Sequence, residues 1–248
     1  MYQHLFYSQK GLQEDPPDEF SIAIDHLVFY AKHRREGQLL AERLNLCCTH
    51  DTILHPAQGT ASQIIFFENA YLEIVHVYEE AIAAKYANRT GVNPILRKRW
   101  QESLASPFGI ALCLKSESED IPRPFTANGR SMPQTETSIY FAPDNLRRQH
   151  EPLCFIVPST VALSTLLDLS STAHQRLLNH PSGARRITAI KITLSQLEKR
   201  SQALRILELR GLITFNQGPS PLLELILDGG IHNQTIDCRP DFPIVITQ

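Results

Sequence analysis

The sequence predicts an α+β fold of curved mixed sheets with helices on the convex side, assembled from repeated βαβββ-type modules. Three observations carry this expectation. Residues 21–31 are β-branched and aromatic on both strand faces, so both faces need cover. A helix-spaced segment and three further strand-like segments follow before residue 80. A strand-helix-strands order then returns after residue 187.

In the first strand, strict alternation puts Ile22, Ile24, His26, Val28 and Tyr30 on one face and Ala23, Leu27 and Phe29 on the other. Residues 33–45 read as a helix. Leu40 and Leu44, one turn apart, would cover the Leu27/Phe29 face, with Arg34, Arg35 and Glu42 turned to water. A strand over 46–54, a turn-rich His-Pro-Ala-Gln-Gly-Thr stretch at 55–60, and strands at 63–67 and 71–77 complete the unit. Helices are expected at 79–88 and from Pro94 to 105, then a strand at 108–114. Residues 116–133 are polar and proline-rich and read as a loop, before strands at 138–141 and 153–157. Leucines at helical spacing mark 160–178. The last cycle has a strand at 187–194, a helix over 195–210 ended by Gly211, and strands at 212–215 and 222–227. The tail from Ile231, with Pro240 and Pro243, reads as an edge strand or an ordered strap. The expected organisation is an N-terminal extension at 1–20, a first module at 21–90, linker helices and a helix-poor second module at 91–158, a helix and partial third module at 159–230, and a tail at 231–248.

Composition narrows the function classes. Hydrophobic residues make up 42% and charged residues 20% of the 248, which supports a sizeable core in one large domain or two small ones. A net charge of −2 disfavours a phosphate-backbone binder, so no nucleic-acid partner is expected. The run Arg97-Lys98-Arg99 reads as a solvated helix face. Five cysteines without a C-x-x-C pair indicate neither a disulfide framework nor a zinc knuckle. No apolar stretch reaches 18 residues and residues 1–20 lack a signal pattern, so no membrane partner and a cytoplasmic address are expected by elimination. Walker, G-x-G-x-x-G, G-x-S-x-G and H-E-x-x-H motifs are missing, which disfavours nucleotide-dependent transfer, serine hydrolysis and zincin proteolysis.

Three segments in order, Ile-Asp-His-Leu-Val at 24–28, His-Pro-Ala-Gln-Gly-Thr at 55–60 and Tyr-Leu-Glu-Ile-Val at 71–75, resemble the glyoxalase-like branch of the vicinal-oxygen-chelate superfamily. The resemblance is close over 20–80 and looser beyond. It implies a cup in which paired modules curl around a small molecule. In metal-using members the first strand of a module offers a ligand, often His, and the last strand a Glu. Those positions fall on His26 and Glu73, the expected catalytic pair. Alternation independently places Tyr71, Glu73 and Val75 on one face, where a desolvated carboxylate needs a partner. The pair is open to three readings: a metal site, a metal-free substrate contact, or a structural role, either as a hydrogen-bonded core pair or with Glu73 facing solvent at a sheet edge. The second module departs from the metal-using pattern, since Gly109, Ile110 and Ala111 carry no ligand and 153–157 no carboxylate. In the third cycle Leu222-Leu223-Glu224-Leu225 echoes the strand of Glu73, so Glu224 is a third candidate ligand, although Ala189 stands where His26 would fall. One nitrogen and two carboxylates suit Mn²⁺, Fe²⁺ or Zn²⁺.

For substrate binding the candidates are His55, Gln58 and Thr60 in a loop at the expected cup mouth, and Arg130 in the proline-rich loop. The expected function is a glyoxalase-like protein holding a small organic ligand, acting as a lyase, isomerase or dioxygenase with or without metal. The alternative is a metal-free binding or sequestration protein. A homodimer is compatible with either.

Overall fold

The computed structural model describes residues 22–114, 124–125 and 139–248. Arg130, Arg123 and the N-terminal extension lie outside them. Strands β1 (Ile22–Tyr30), β2 (Ile53–His55), β3 (Thr60–Phe66), β4 (Tyr71–Val77), β5 (Phe108–Leu114), β6 (Tyr140–Phe141) and β7 (Leu153–Ile156) form one seven-stranded sheet in the order β2-β3-β4-β1-β5-β7-β6. β1 runs parallel to β4, with His26 beside Tyr71 and Val28 beside Glu73. On its other side β1 runs antiparallel to β5, with His26 beside Ala111 and Val28 beside Gly109. The βαβββ order expected for the first module is therefore present, and β5, β7 and β6 extend the same sheet beyond β1.

Helix α1 (Glu36–Leu44) buries Leu40 and Leu44 on the convex face and stops where Asn45 turns left-handed at φ 54°. Helix α2 (Glu80–Thr90) ends at Gly91, φ 82°. Asn93 accepts from the Leu96 N–H and Pro94 opens α3 (Pro94–Lys98), which is followed by the short α4 (Trp100–Ser103). The expected helix over 94–105 is thus two pieces. Helix α5 (Pro143–Leu146) precedes β7. The leucine-rich stretch 160–178 breaks into α6 (Leu163–Leu166) and α7 (Thr172–Leu178), and Leu163, Leu167, Leu177 and Leu178 pack against Ile64, Phe66 and Tyr71. Of the expected strand at 46–54 only Ile53 and Leu54 pair as strand, in β2.

The remaining chain, β8 (Ile187–Leu194), α8 (Gln202–Leu209), β9 (Thr214–Gln217), β10 (Leu222–Leu227), β11 (Thr235–Asp237) and β12 (Ile244–Thr247), builds a second sheet in the order β11-β12-β10-β8-β9. Here β8 is antiparallel to β10, unlike the parallel β1/β4 pair. The tail does more than strap the surface, because β12 pairs with β10 and β11 on either side. Leu27, Phe29, Leu40, Leu72 and Ile110 from the first sheet and α1 share one continuous core with Ile192, Leu204, Leu223 and Ile244. The second sheet and α8 thus brace the convex side, and the concave side of the first sheet faces a cavity.

One irregularity decides which residues reach that cavity. The β1/β5 register slips between Ile24 and His26, a β-bulge with Asp25 as the extra residue. Ile22 and Ile24 consequently pack into the core with Leu27 and Phe29, while His26, Val28 and Tyr30 face the cavity. Strict alternation had put Ile22 and Ile24 on the His26 face. The bulge reverses that assignment.

Candidate functional site

His26 is fixed from two sides. Its Nδ1 lies 2.7 Å from Asp25 Oδ1, and since a carboxylate only accepts, Nδ1 carries the proton. Its ring stacks on Tyr71 with centroids 4.2 Å apart and planes 17° apart, as parallel neighbours in register allow. The other oxygen of Asp25 accepts from the Leu163 N–H at 2.9 Å, tying the start of α6 to the same carboxylate. That leaves His26 Nε2 turned toward Glu73, 3.6 Å from Oε2, which is longer than a direct hydrogen bond.

Glu73 is held between two imidazoles. His55 Nε2 stands 3.3 Å from Glu73 Oε1 and 3.1 Å from Ser62 Oγ. Burial alone pushes the Glu73 carboxyl up. The hydrogen bond from His55, the charges of His26 and His55 and the Ser62 hydroxyl outweigh it and hold the group at about 2. Glu73 is therefore an anion at neutral pH, facing a cavity of about 540 Å³. That volume falls within the usual range for small-molecule pockets. Val28, Val75, Leu153 and Phe155 line much of its wall.

Of the sequence candidates, His26, Glu73, His55 and Gln58 converge on the cavity. Thr60 is buried beside it, its hydroxyl donating to Gln58 Oε1 at 3.3 Å. Glu224 is not brought to this site. It lies on β10 of the second sheet, flanked by Lys191 and Val245. The echo of the Glu73 strand is local: β4 runs parallel to β1, whereas β10 runs antiparallel to β8, the strand that would stand in for β1. Sequence reasoning missed Asp25, which only the bulge brings next to His26, and the cavity tyrosines Tyr30, Tyr71 and Tyr86. It also misjudged Arg97, which is 3% exposed and donates to the carbonyls of Ser106, Phe108 and Glu151. A tyrosine at alternate positions of the His26 face was the available signal for Tyr30.

The family pattern known as the glyoxalase-like domain matches residues 24–207. The chain belongs to the glyoxalase-like domain family. A hypothetical protein from Staphylococcus aureus shares the fold at a TM-score of 0.50 and 11% identity, over 91% of this chain and 98% of its own. Lower similarities include methylmalonyl-CoA epimerase (TM-score 0.35, 10% identity, 56% and 97% covered). A mutant of 4-hydroxymandelate synthase from Streptomyces coelicolor reaches 0.34 at 12% identity, with 83% and 71% covered. No curated protein sequence matches the chain.

Among the described residues the donors do not fit the divalent ion that the resemblance to metal-using members implies. No group of three His, Cys, Asp or Glu side chains among the described residues is arranged to hold one. The facing half of the cup presents Gly109, Ala111, Leu153 and Phe155. A side chain at 109 would also press on Val28, because a Cβ there would stand 3.1 Å from the Val28 Cβ. The Glu73 oxygens face His26 on one side and His55 on the other. No helix among the described residues is long and apolar enough to cross a membrane.

Proposed function

We propose that this glyoxalase-like protein is a small-molecule enzyme of the isomerase or lyase type, moving a proton at a carbon acid through His26 without a metal. The observation that carries this reading is the Asp25–His26–Glu73 line on the wall of an apolar cavity. Asp25 holds the Nδ1 proton, so Nε2 is the base. Glu73, anionic beside it, stabilises the imidazolium once the proton has moved. His55, hydrogen-bonding distance from Glu73 and Ser62, keeps that carboxylate in place. The largely apolar walls lower the local dielectric and so strengthen each of these interactions relative to open water.

The test is hydrogen exchange. Small carbonyl compounds with acidic C–H bonds are incubated with the protein in D₂O and followed by NMR. Wash-in of deuterium that falls at least about 10²-fold in His26→Asn supports the reading. Binding without wash-in across the panel would reduce the site to a cup for sequestration.

A further inference from the structure

Building on the proton-transfer reading, we infer that the ligand is a small organic acid whose carboxylate docks between Tyr30 and Tyr86, with its reacting carbon at His26. The two tyrosines sit at the other end of the cavity wall from His26. Tyr30 closes β1 four residues on, about 13 Å along the strand at about 3.3 Å per residue. Tyr86 comes from α2. They are 8% and 4% exposed and line the cavity, and neither phenol oxygen has a hydrogen-bond partner among the described residues. A hydroxyl on a cavity wall without a protein partner leaves its hydrogen bond to a ligand or water.

The electrostatics at this end select the partner. The Arg97 guanidinium lies 6.0 Å from the Tyr30 ring centroid, and Arg89 lies 5.8 Å from that of Tyr86. Arg97 is buried, yet the three groups it donates to are neutral carbonyls, at 2.8, 3.3 and 3.0 Å. The Glu151 carboxylate acts on Arg97 from beyond hydrogen-bonding reach, and the guanidinium, which directly touches only carbonyls, stands behind the Tyr30 phenol. Burial pushes the Tyr30 hydroxyl up to about 12 against the pull of Arg97, and burial also raises Tyr86. Both are therefore neutral O–H donors at physiological pH. Glu73 stands beside Val28, midway along the wall, with its oxygens turned to His26 and His55, and Asp25 lies beyond it against His26, so an anion is repelled from the His26 side. Two donors backed by cations at the Tyr30 end, and two carboxylates whose oxygens lie toward His26, orient an acid in a single direction. The apolar residues between them, Val28, Val75 and Leu153, take the hydrocarbon or ring that separates the acid from the reacting carbon.

Calorimetric titration of the full chain at pH 7 with three probes of one shape tests this: 3-phenylpropionate, 3-phenylpropan-1-ol and 3-phenylpropylamine. The acid is expected to bind at least tenfold tighter than the amine and more tightly than the alcohol. Tyr30→Phe and Tyr86→Phe, which keep their rings, should each cost the acid about tenfold and leave the alcohol within a few-fold. Their thermal midpoints report whether the cup is intact. Equal binding of the three probes, tighter binding of the amine, absence of acid binding, or acid binding unaffected by both variants overturns the inference. Acid preference without deuterium wash-in would keep the docking end and remove the proton-transfer reading; wash-in without acid preference would do the reverse.

Discussion

Glu73 gives the site its pH signature. Its carboxyl is held at about 2, against an ordinary value near 4.5 in the unfolded chain. A depressed carboxyl stabilises the fold fully above the unfolded value, and the benefit drains away as pH falls toward the folded value. We expect wild type to lose on the order of 3 kcal/mol relative to Glu73→Gln between pH 5 and pH 2. Urea melts of the two proteins across that range measure it; parallel curves would show that the carboxylate is not held as described. Asp25 acts through its neighbour rather than on the ligand. Asp25→Asn retains an oxygen for the Leu163 N–H but offers an amide where Nδ1 needs an acceptor, favouring the wrong tautomer of His26. Deuterium wash-in should drop by about 10²-fold or more, with the acid probe still bound.

At the scale of elements, the loop after β2 and the bulge in β1 set the cup's rim and wall. Gly59 has φ +66°, and a Cβ there would fall 2.5 Å from the Glu79 carbonyl oxygen. Gly59→Ala should therefore lower stability by about 1–3 kcal/mol, read as a drop in thermal midpoint, and loosen His55 and Gln58 with it. The strands β1, β4 and β5 were legible because β-branched and aromatic runs bounded by turn residues leave little choice. So was the sharing of a face by His26 and Glu73, which parity alone requires once the strands are parallel neighbours. The bulge was not legible: an extra residue in a strand changes no residue type, and it is the pairing with β5 that exposes it. Arg97 was misread because three cations in one helical turn look alike from sequence. The carbonyls that single it out come from the turn at 106–108 and from Glu151, far along the chain. Glu224 misled because Leu-Glu-Leu is a local string, whereas the orientation of its partner strand is a long-range property.

The whole molecule is tied together by a single core running through α1, the convex face of the cup and the second sheet. Unfolding the second sheet would strip the back of the cup, so the two sheets are expected to melt together. Fluorescence of Trp100, the one tryptophan, reports on the first-sheet side, and far-UV circular dichroism reports on both. Their denaturation curves should coincide. A separated early transition by circular dichroism would mean that the second sheet stands alone. The cup itself is chemically lopsided: His26, Glu73 and His55 all belong to the β1–β4 half, while the β5–β7 half turns Ala111, Leu153 and Phe155 inward. On the proposed chemistry, a bound carbon atom therefore meets its base on one face and hydrocarbon on the other. A prochiral CH₂ group would surrender one of its two hydrogens and keep its twin, and inversion through a pair of opposed bases finds no base among the described lining residues of the β5–β7 half. The deuterated product should be a single stereoisomer, its handedness set by which half of the sheet carries the imidazole.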